Sequence, residues 1–201
     1  MLNIRFSPLQ CMVFLAVLFS GASPVRADGN WVLGARGGIS WILQKVDGNK
    51  DADAGGHLNI HGGYRIAKPL LVGLMLDAER HDVRQGTLKL GDHYTFSVLP
   101  FAEARLDLPG MPVVPFANLG IGVNINDLDD DPSFGALNAR NKEAYRFGIG
   151  ADWVFADTAA VTMELAYKIN DSSIRSAAAS VTSGSYRMNS LALLFGARLI
   201  F

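Results

Sequence analysis

Four histidines, with nearby hydroxyl and carboxyl side chains, are the residues of this chain whose types could carry catalysis. An imidazole beside a hydroxyl and an acid is the arrangement that general-base and nucleophilic catalysis require. His81 and His93 flank a predicted hairpin and can therefore be neighbours. The polar residues on the same strand faces are Asp77, Glu79, Thr95 and Ser97. The alternative is that this rim cluster (His81 and His93) only hydrogen-bonds to its surroundings, and the absence of a supporting acid motif favours it.

The remaining candidates for a chemical site are weaker. His57 and His61 share a strand face but lie about 13 Å apart on extended backbone, which is too far for one metal ion. The acidic run from Asp127 to Asp131 could hold divalent cations that bridge neighbouring phosphate groups. However, Pro132 stands where an EF-hand loop has its glycine, so a solvated acidic loop is favoured. We therefore predict no catalytic residue, no metal site and no cofactor.

The elements that must position these residues alternate in polarity with a period of two. The clearest case is the final segment, because successive side chains of a strand point to opposite faces. Its apolar face consists of Leu191, Leu193, Phe195, Ala197, Leu199 and Phe201. The opposite face is small or polar and carries Arg198. Six apolar positions span about 17–20 Å, close to the apolar band of a transmembrane barrel.

Eight segments with this alternation follow one another along the chain. They are Trp31–Trp41, His57–Ile66, Leu70–Val83, Asp92–Asp107, Val113–Asn126, Glu143–Phe155, Ala159–Asp171 and Tyr186–Phe201. Long connections at 42–56, 84–91, 127–142 and 172–185 alternate with short ones at 67–69, 108–112 and 156–158. Pro100 lies inside the fourth segment, where a proline loses a ladder hydrogen bond and a bulge could change the face pattern.

The even strand number and the alternating loop lengths predict an eight-stranded antiparallel transmembrane β-barrel with short periplasmic turns and long extracellular loops. A soluble lipocalin-like barrel would show the same alternation with its apolar face inward. Three features favour the membrane: glycines on the charged face, an uncharged central band on the apolar face, and aromatic residues at both strand ends. The aromatic residues are Trp31, Tyr64, Trp153, Phe155 and Phe201 at the turn end and Trp41, Tyr94, Tyr145 and Tyr167 at the loop end.

The amino terminus has the pattern of a cleaved secretory signal peptide over residues 1–27, which leaves residues 28–201 as the barrel. Arg5 precedes a short apolar run that begins at Cys11, and Val25–Ala27 fits a small-residue cleavage site. Cleavage would remove the single cysteine, so the mature chain would have no disulfide. The formal net charge of −1 would become more negative on loss of Arg5 and Arg26. Without a basic stripe, nucleic acid is not an expected partner.

With these strands and the terminal L-x-F-x-A-x-L-x-F pattern, the chain resembles the small OmpA/OmpX-type outer-membrane barrels, which include porin-like and opacity-type surface proteins. The resemblance implies an outer-membrane location, contact with membrane lipid and lipopolysaccharide, and a monomeric barrel. It also implies that the terminal strand is read by the barrel-assembly machinery. Phe195, Leu199 and Phe201 would then act as the assembly signal.

If the apolar face meets lipid, the charged residues of the other face fill the lumen. They are Arg36, Arg65, Asp77, Glu79, Glu103, Arg105, Arg146, Asp152, Glu164, Lys168 and Arg198. An eight-stranded barrel is only wide enough for its own side chains, and buried charges must pair. We expect a charge-balanced network and a structural or surface-interaction role. The alternatives are a small gated pore, with pairs such as Glu103–Arg105 or Glu164–Lys168 as the gate, and a lipid A-modifying acyl hydrolase or transferase.

Overall fold

The computed structural model describes residues 30–43, 50–85, 87–107, 111–130, 137–139, 141–176 and 184–201. The predicted signal peptide lies outside these residues. Twelve strands are present in the described ranges. They are β1 (Trp31–Ile42), β2 (Lys50–Ala52), β3 (Gly55–Ala67), β4 (Leu70–Gln85), β5 (Leu88–Arg105), β6 (Val113–Asp130), β7 (Leu137–Ala139), β8 (Lys142–Ala156), β9 (Ala159–Ile169), β10 (Asp171–Ser176), β11 (Gly184–Arg187) and β12 (Ser190–Ile200). None of the described residues forms a helix long and apolar enough to cross a membrane.

The eight long strands close into an antiparallel barrel, as predicted. The pairing order around the wall is β4-β3-β1-β12-β9-β8-β6-β5, and β5 pairs back to β4. First and last strands therefore lie side by side, with Gly37 opposite Phe195. Since closure pairs the edge of every long strand, the wall presents no open ladder to the lipid.

The barrel wall is apolar outside and polar inside. Outward side chains such as Ile149, Trp153 and Phe155 are more than 60% exposed, whereas Arg36, Arg146 and Arg198 are at most 1% exposed. A soluble barrel would have the opposite distribution, because apolar surface is favourably removed from water. This inverted arrangement decides between the two interpretations of the sequence pattern in favour of the membrane.

The predicted long loop at 84–91 is wrong. β4 continues to Gln85 and β5 begins at Leu88, so only two residues lie between the strands. The ladder shifts register beyond Val83, where Gly91 takes a φ of 154°, a conformation that favours glycine. The outward residues of this extension are polar, since it stands in water above the membrane. Polar–apolar alternation therefore ends at Arg80, although the strand does not.

The other long connections also contain strands. β2 pairs with the end of β4, and β10 pairs with both β7 and β11 in a small separate sheet at the loop end. β6 extends to Asp130, so the first residues of the acidic run are strand rather than loop. Residues 44–49, 131–136, 140 and 177–183, which belong to these predicted loops, lie outside the described residues.

Pro100 does not change the face pattern. The β5–β6 ladder pairs Val98 with Val123 and Phe101 with Gly120, so the register is the same on both sides of the proline. Pro100 points outward, and its neighbours in β5 remain buried. The lost hydrogen bond is thus accommodated in the wall without a bulge.

The last rung of the barrel joins Phe201 to Trp31. The Phe201 amide donates to the Trp31 carbonyl (2.9 Å), and the Trp31 amide donates to the Phe201 carbonyl (3.2 Å). Trp31 also packs edge-on against Tyr64, with 5.0 Å between the ring centroids. Phe201 therefore completes the seam between β1 and β12 next to an aromatic pair at the turn end.

Deleting Phe201 is expected to lower the yield of folded, membrane-inserted protein, because both hydrogen bonds of the last rung and one interfacial aromatic are lost. The measurement is the fraction of heat-modifiable protein in outer-membrane preparations. Phe155→Ala, which removes an exposed aromatic at the same end of another strand, is the matched control. Normal assembly of the truncated protein would contradict the role assigned to the terminal strand.

Candidate functional site

The polar lumen is the candidate site, and its ion pairs form layers between the turn end and the loop end. In the layer nearest the turns, Arg198 donates two bonds to Glu103, at 2.6 and 2.7 Å, and one to Asp152, at 3.0 Å. Arg105 donates to the same two acids at 2.9 and 2.7 Å. All four side chains are buried, and the layer is electrically neutral. Bidentate arginine–carboxylate pairs of this kind fix geometry as well as charge.

The central layer is built around Glu164. Arg146 donates to both of its oxygens, at 2.9 and 3.2 Å, and Arg36 pairs with it from β1. Asn118 donates to Glu164 at 2.7 Å. The Nε atom of Arg146 lies 3.1 Å from Asp77 on β4. The layer therefore joins strands that are not neighbours in the wall and bridges the lumen.

The upper layer contains Lys168, Glu79 and His57. The Nζ atom of Lys168 is 3.0 Å from Glu79. Both ring nitrogens of His57 face carboxylates: Nδ1 is 2.8 Å from Glu79 and Nε2 is 3.3 Å from Asp77. The His57 ring therefore lies between two acids of the network, a position that its isolated place on β3 did not indicate.

An uncharged layer, which we call the amide lid (Thr95, Asn126 and Asn170), lies above the ion pairs. Asn170 donates to Asn126 at 2.8 Å, and Asn126 donates back at 3.2 Å. Thr95 donates to Asn126 at 3.0 Å. The amide pair spans from β6 to the residue that follows β9, across β8, where the inward residue is the small, fully buried Ala144. The lumen is thus crossed by hydrogen bonds near its loop end as well.

The rim cluster is brought together as the hairpin predicts, but it faces the lumen. His81 and His93 lie directly opposite each other on β4 and β5, and both are buried. The Nε2 atom of His81 is 3.0 Å from the Ser40 hydroxyl, and its Nδ1 atom is 3.1 Å from the Asp53 carbonyl oxygen. A hydroxyl therefore does meet an imidazole here. The wall separates the pair from the lipid, where a lipid substrate would be.

A glycine permits the close approach of the central layer. A Cβ atom on Gly148 would clash with the Glu164 carboxylate and the Asn118 amide. Those groups are held in place by Arg146 and Arg36, so they have no room to move aside. The ring of Phe116 fills the space beside the layers, with the Arg198 guanidinium 4.5 Å from its centroid. Cation–π contact in a desolvated site is favourable.

The structure places all eleven charged residues proposed for the lumen on the inner face, and it forms one of the two pairs named for the gated-pore alternative. Glu103–Arg105 forms, whereas Glu164–Lys168 does not, because each has a nearer partner on another strand. Arg65 differs from the rest. It is half-buried at the turn end and has no ion pair within the described part of the chain. The other five cations match the five acids in number.

No group of three or more histidine, cysteine or acidic residues in the described ranges is arranged to hold a metal ion. Side chains 128–131 of the acidic run lie outside the described residues, so the bridging-cation hypothesis for that run stays a prediction. Two residues proposed as the assembly signal point outward, where they can contact lipid. Phe195 is 53% exposed and Leu199 is 36% exposed. Their role in assembly also stays a prediction.

A closed eight-stranded wall, apolar outside and filled with paired charge, is the geometry of small outer-membrane barrels. The family model described as "Outer membrane protein beta-barrel domain" matches residues 12–198. The chain belongs to this family. A search of curated proteins finds no match.

Solved structures of such barrels share the fold. OprG from Pseudomonas aeruginosa aligns with a TM-score of 0.66 at 19% identity, over 86% of this chain and 97% of OprG. The neisserial surface protein NspA aligns with a TM-score of 0.59 at 15% identity, over 85% and 96%. Ail, the attachment invasion locus protein of Yersinia pestis, aligns with a TM-score of 0.53 at 16% identity, over 86% and 99%. These likenesses show the fold alone.

Removing one acid of the network should destabilise the barrel far more than removing Arg65, the inward cation that does not belong to the network. Glu103→Gln leaves Arg198 and Arg105 short of a buried counter-charge, and breaking such a pair costs about 3–5 kcal/mol. Arg65→Gln removes a half-buried cation without an ion pair and should change the free energy of unfolding by less than about 1 kcal/mol. Urea unfolding in detergent micelles, followed by tryptophan fluorescence, measures both. Equal effects would show that the pairing does not contribute to stability.

Proposed function

We propose that this protein is a sealed, monomeric outer-membrane barrel with a structural or surface-interaction role, and that it catalyses no reaction. The observation that carries the proposal is the pairing across the lumen. Glu103–Arg198, Arg146–Asp77 and Lys168–Glu79 each join non-adjacent strands. An ion that crossed the barrel would have to separate these pairs.

The energetics support a closed lumen. Removing one partner from a buried ion pair leaves an uncompensated charge at a cost of several kcal/mol. A conducting state would have to break pairs in successive layers and also open the amide lid. No single pair is a sufficient gate, since Glu103 and Asp152 are each shared by two arginines.

The loop end supports a role at the cell surface. The hairpin of β4 and β5 extends the wall outward, and β7, β10 and β11 form a separate sheet above the barrel. Residues in loops and loop-borne strands on a rigid scaffold are where binding functions concentrate. Such a surface can contact other molecules while the lumen remains closed.

The arrangement of the rim cluster argues against the lipid A-modifying alternative. His81, His93 and Ser40 are at most 1% exposed and point into the lumen. An acyl hydrolase or transferase of the outer leaflet needs its nucleophile or base within reach of the lipid. Ser40 and His81 instead bond to each other, and His81 also meets the Asp53 carbonyl, whereas His93 lies 3.4 Å from the Thr95 hydroxyl.

In planar bilayers, the purified barrel is expected to give no discrete conductance steps above the bare membrane, because the paired layers block the lumen. The double variant Glu103→Ala/Arg198→Ala, which removes two members of the layer nearest the turns, should stay closed as well, because the central layer and the amide lid remain; a detergent-treated blank is the control. Steady, salt-dependent steps from the wild-type protein would establish the pore alternative instead.

Lipid A from cells with and without the protein is expected to have the same mass spectrum, since the rim cluster cannot reach the membrane. Ser40→Ala and His81→Ala variants serve as controls if a difference appears. Loss of acyl chains, or a gain of one, that depended on either residue would contradict the absence of catalysis.

A further inference from the structure

The outer wall carries one arginine at the upper boundary of its apolar band. On β4 the outward residues Leu74, Leu76 and Ala78 are followed by Arg80. Directly opposite on β5 stands Tyr94, a member of the aromatic girdle at the loop end. Aromatic girdles lie at the level of the lipid headgroups. Arg80 therefore lies at headgroup depth on the outside of the barrel.

Neighbouring residues hold the Arg80 side chain in place without covering it. Its Nη2 atom donates to Asp92 at 2.6 Å, and its guanidinium carbon lies 5.7 Å from the centre of the Tyr94 ring. The side chain is nevertheless 56% exposed. The bond to Asp92 uses one N–H of the Nη2 atom. A guanidinium has five donors in a fixed fork, so donors remain for an external anion.

The surface beside Arg80 is open on the side away from Tyr94. Its partner on β3 is Gly56, and a Cβ atom built there would meet nothing within 4 Å. Below the guanidinium, toward the membrane centre, are the exposed side chains of Ala78 and Leu58. Arg80, Tyr94 and Gly56 thus border a notch that is cationic at the top and apolar at the bottom.

We propose that this notch binds the phosphate group of an outer-leaflet lipid, namely the lipid A phosphate, and that Arg80 is the residue that binds it. A phosphate monoester carries a charge of about −1.5 to −2, and arginine binds such groups through parallel hydrogen bonds. The apolar lower part of the notch selects a lipid over free phosphate, because acyl chains attached to the same headgroup lie against Leu58 and Ala78.

The neighbouring acids do not block this approach. Asp92 and Asp82 face each other across the β4–β5 ladder, each two residues beyond the Arg80–Tyr94 pair and therefore about 6–7 Å farther from the membrane. A phosphate rising from the lipid side meets Arg80 first. Asp92 instead holds the guanidinium through its Nη2 atom. The proposal rests on the outer-membrane location and does not depend on whether the lumen conducts.

The test is binding of lipid A to the detergent-solubilised full barrel, measured by native mass spectrometry. The wild-type protein should bind bisphosphorylated lipid A about tenfold more tightly than the dephosphorylated form. Arg80→Gln should abolish this preference. The matched control is Arg187→Gln, which removes an equally exposed, ion-paired arginine from β11 and should leave the preference intact.

Two further experiments test whether the notch and the acyl chains contribute to binding. Gly56→Val keeps Arg80 but fills the notch, so it should weaken lipid A binding at least fivefold while the heat-modifiable band shows normal folding. Inorganic phosphate in millimolar excess should not displace lipid A, since it lacks the chains that the notch requires. The proposal is overturned if Arg80→Gln retains the preference, if Arg187→Gln loses it equally, or if free phosphate competes fully.

Discussion

Charge buried in a narrow tube has to be paired, and the rest of this structure follows from that requirement. An eight-stranded wall leaves an interior only as wide as the side chains that point into it. Ten charged residues in that space would each carry a heavy desolvation cost if unpaired. The five acids and five cations of the network instead meet in neutral layers. Arg65, which has no ion pair in the described ranges, lies at the turn end, where it is only half-buried.

Pairing across the lumen also ties together strands that the sheet leaves apart. Each rung of the ladder joins only neighbours, whereas Arg198 on β12 holds Glu103 on β5 and Arg146 on β8 holds Asp77 on β4. The interior ion pairs thus stabilise the wall by linking its opposite sides. The outer surface of the wall packs only against lipid. The contacts that brace the barrel also span the lumen, so the stability of the wall and the closed state proposed above would have one physical origin. The surface role proposed above would then fall to the extensions beyond the membrane and to the outer wall.

Most of the fold could be predicted from alternation, because lipid outside and a polar lumen inside impose a period of two on every membrane-spanning residue. The eight strands, their antiparallel order and the inward side of residues such as Arg36 follow from it. The prediction failed at 84–91, where the strands rise into water and alternation ends at Arg80 while the hairpin continues. Pro100 was ambiguous in the sequence for a similar reason, since a proline signals a lost hydrogen bond without saying whether the ladder shifts.

By itself, the sequence determined which residues enter the lumen and that their charges nearly balance, because strand parity is a local property. Only the tertiary structure decided which of these charged residues form ion pairs with each other. Glu164 and Lys168 lie four residues apart on one strand face, yet each is bound to a residue from another strand. His57, by contrast, meets Glu79 and Asp77 within the β3–β4 hairpin, where Glu79 is its direct partner. The pairs that cross the lumen depend instead on the register around the whole wall. Register around a closed wall is a global property, and no local spacing in the chain encodes it.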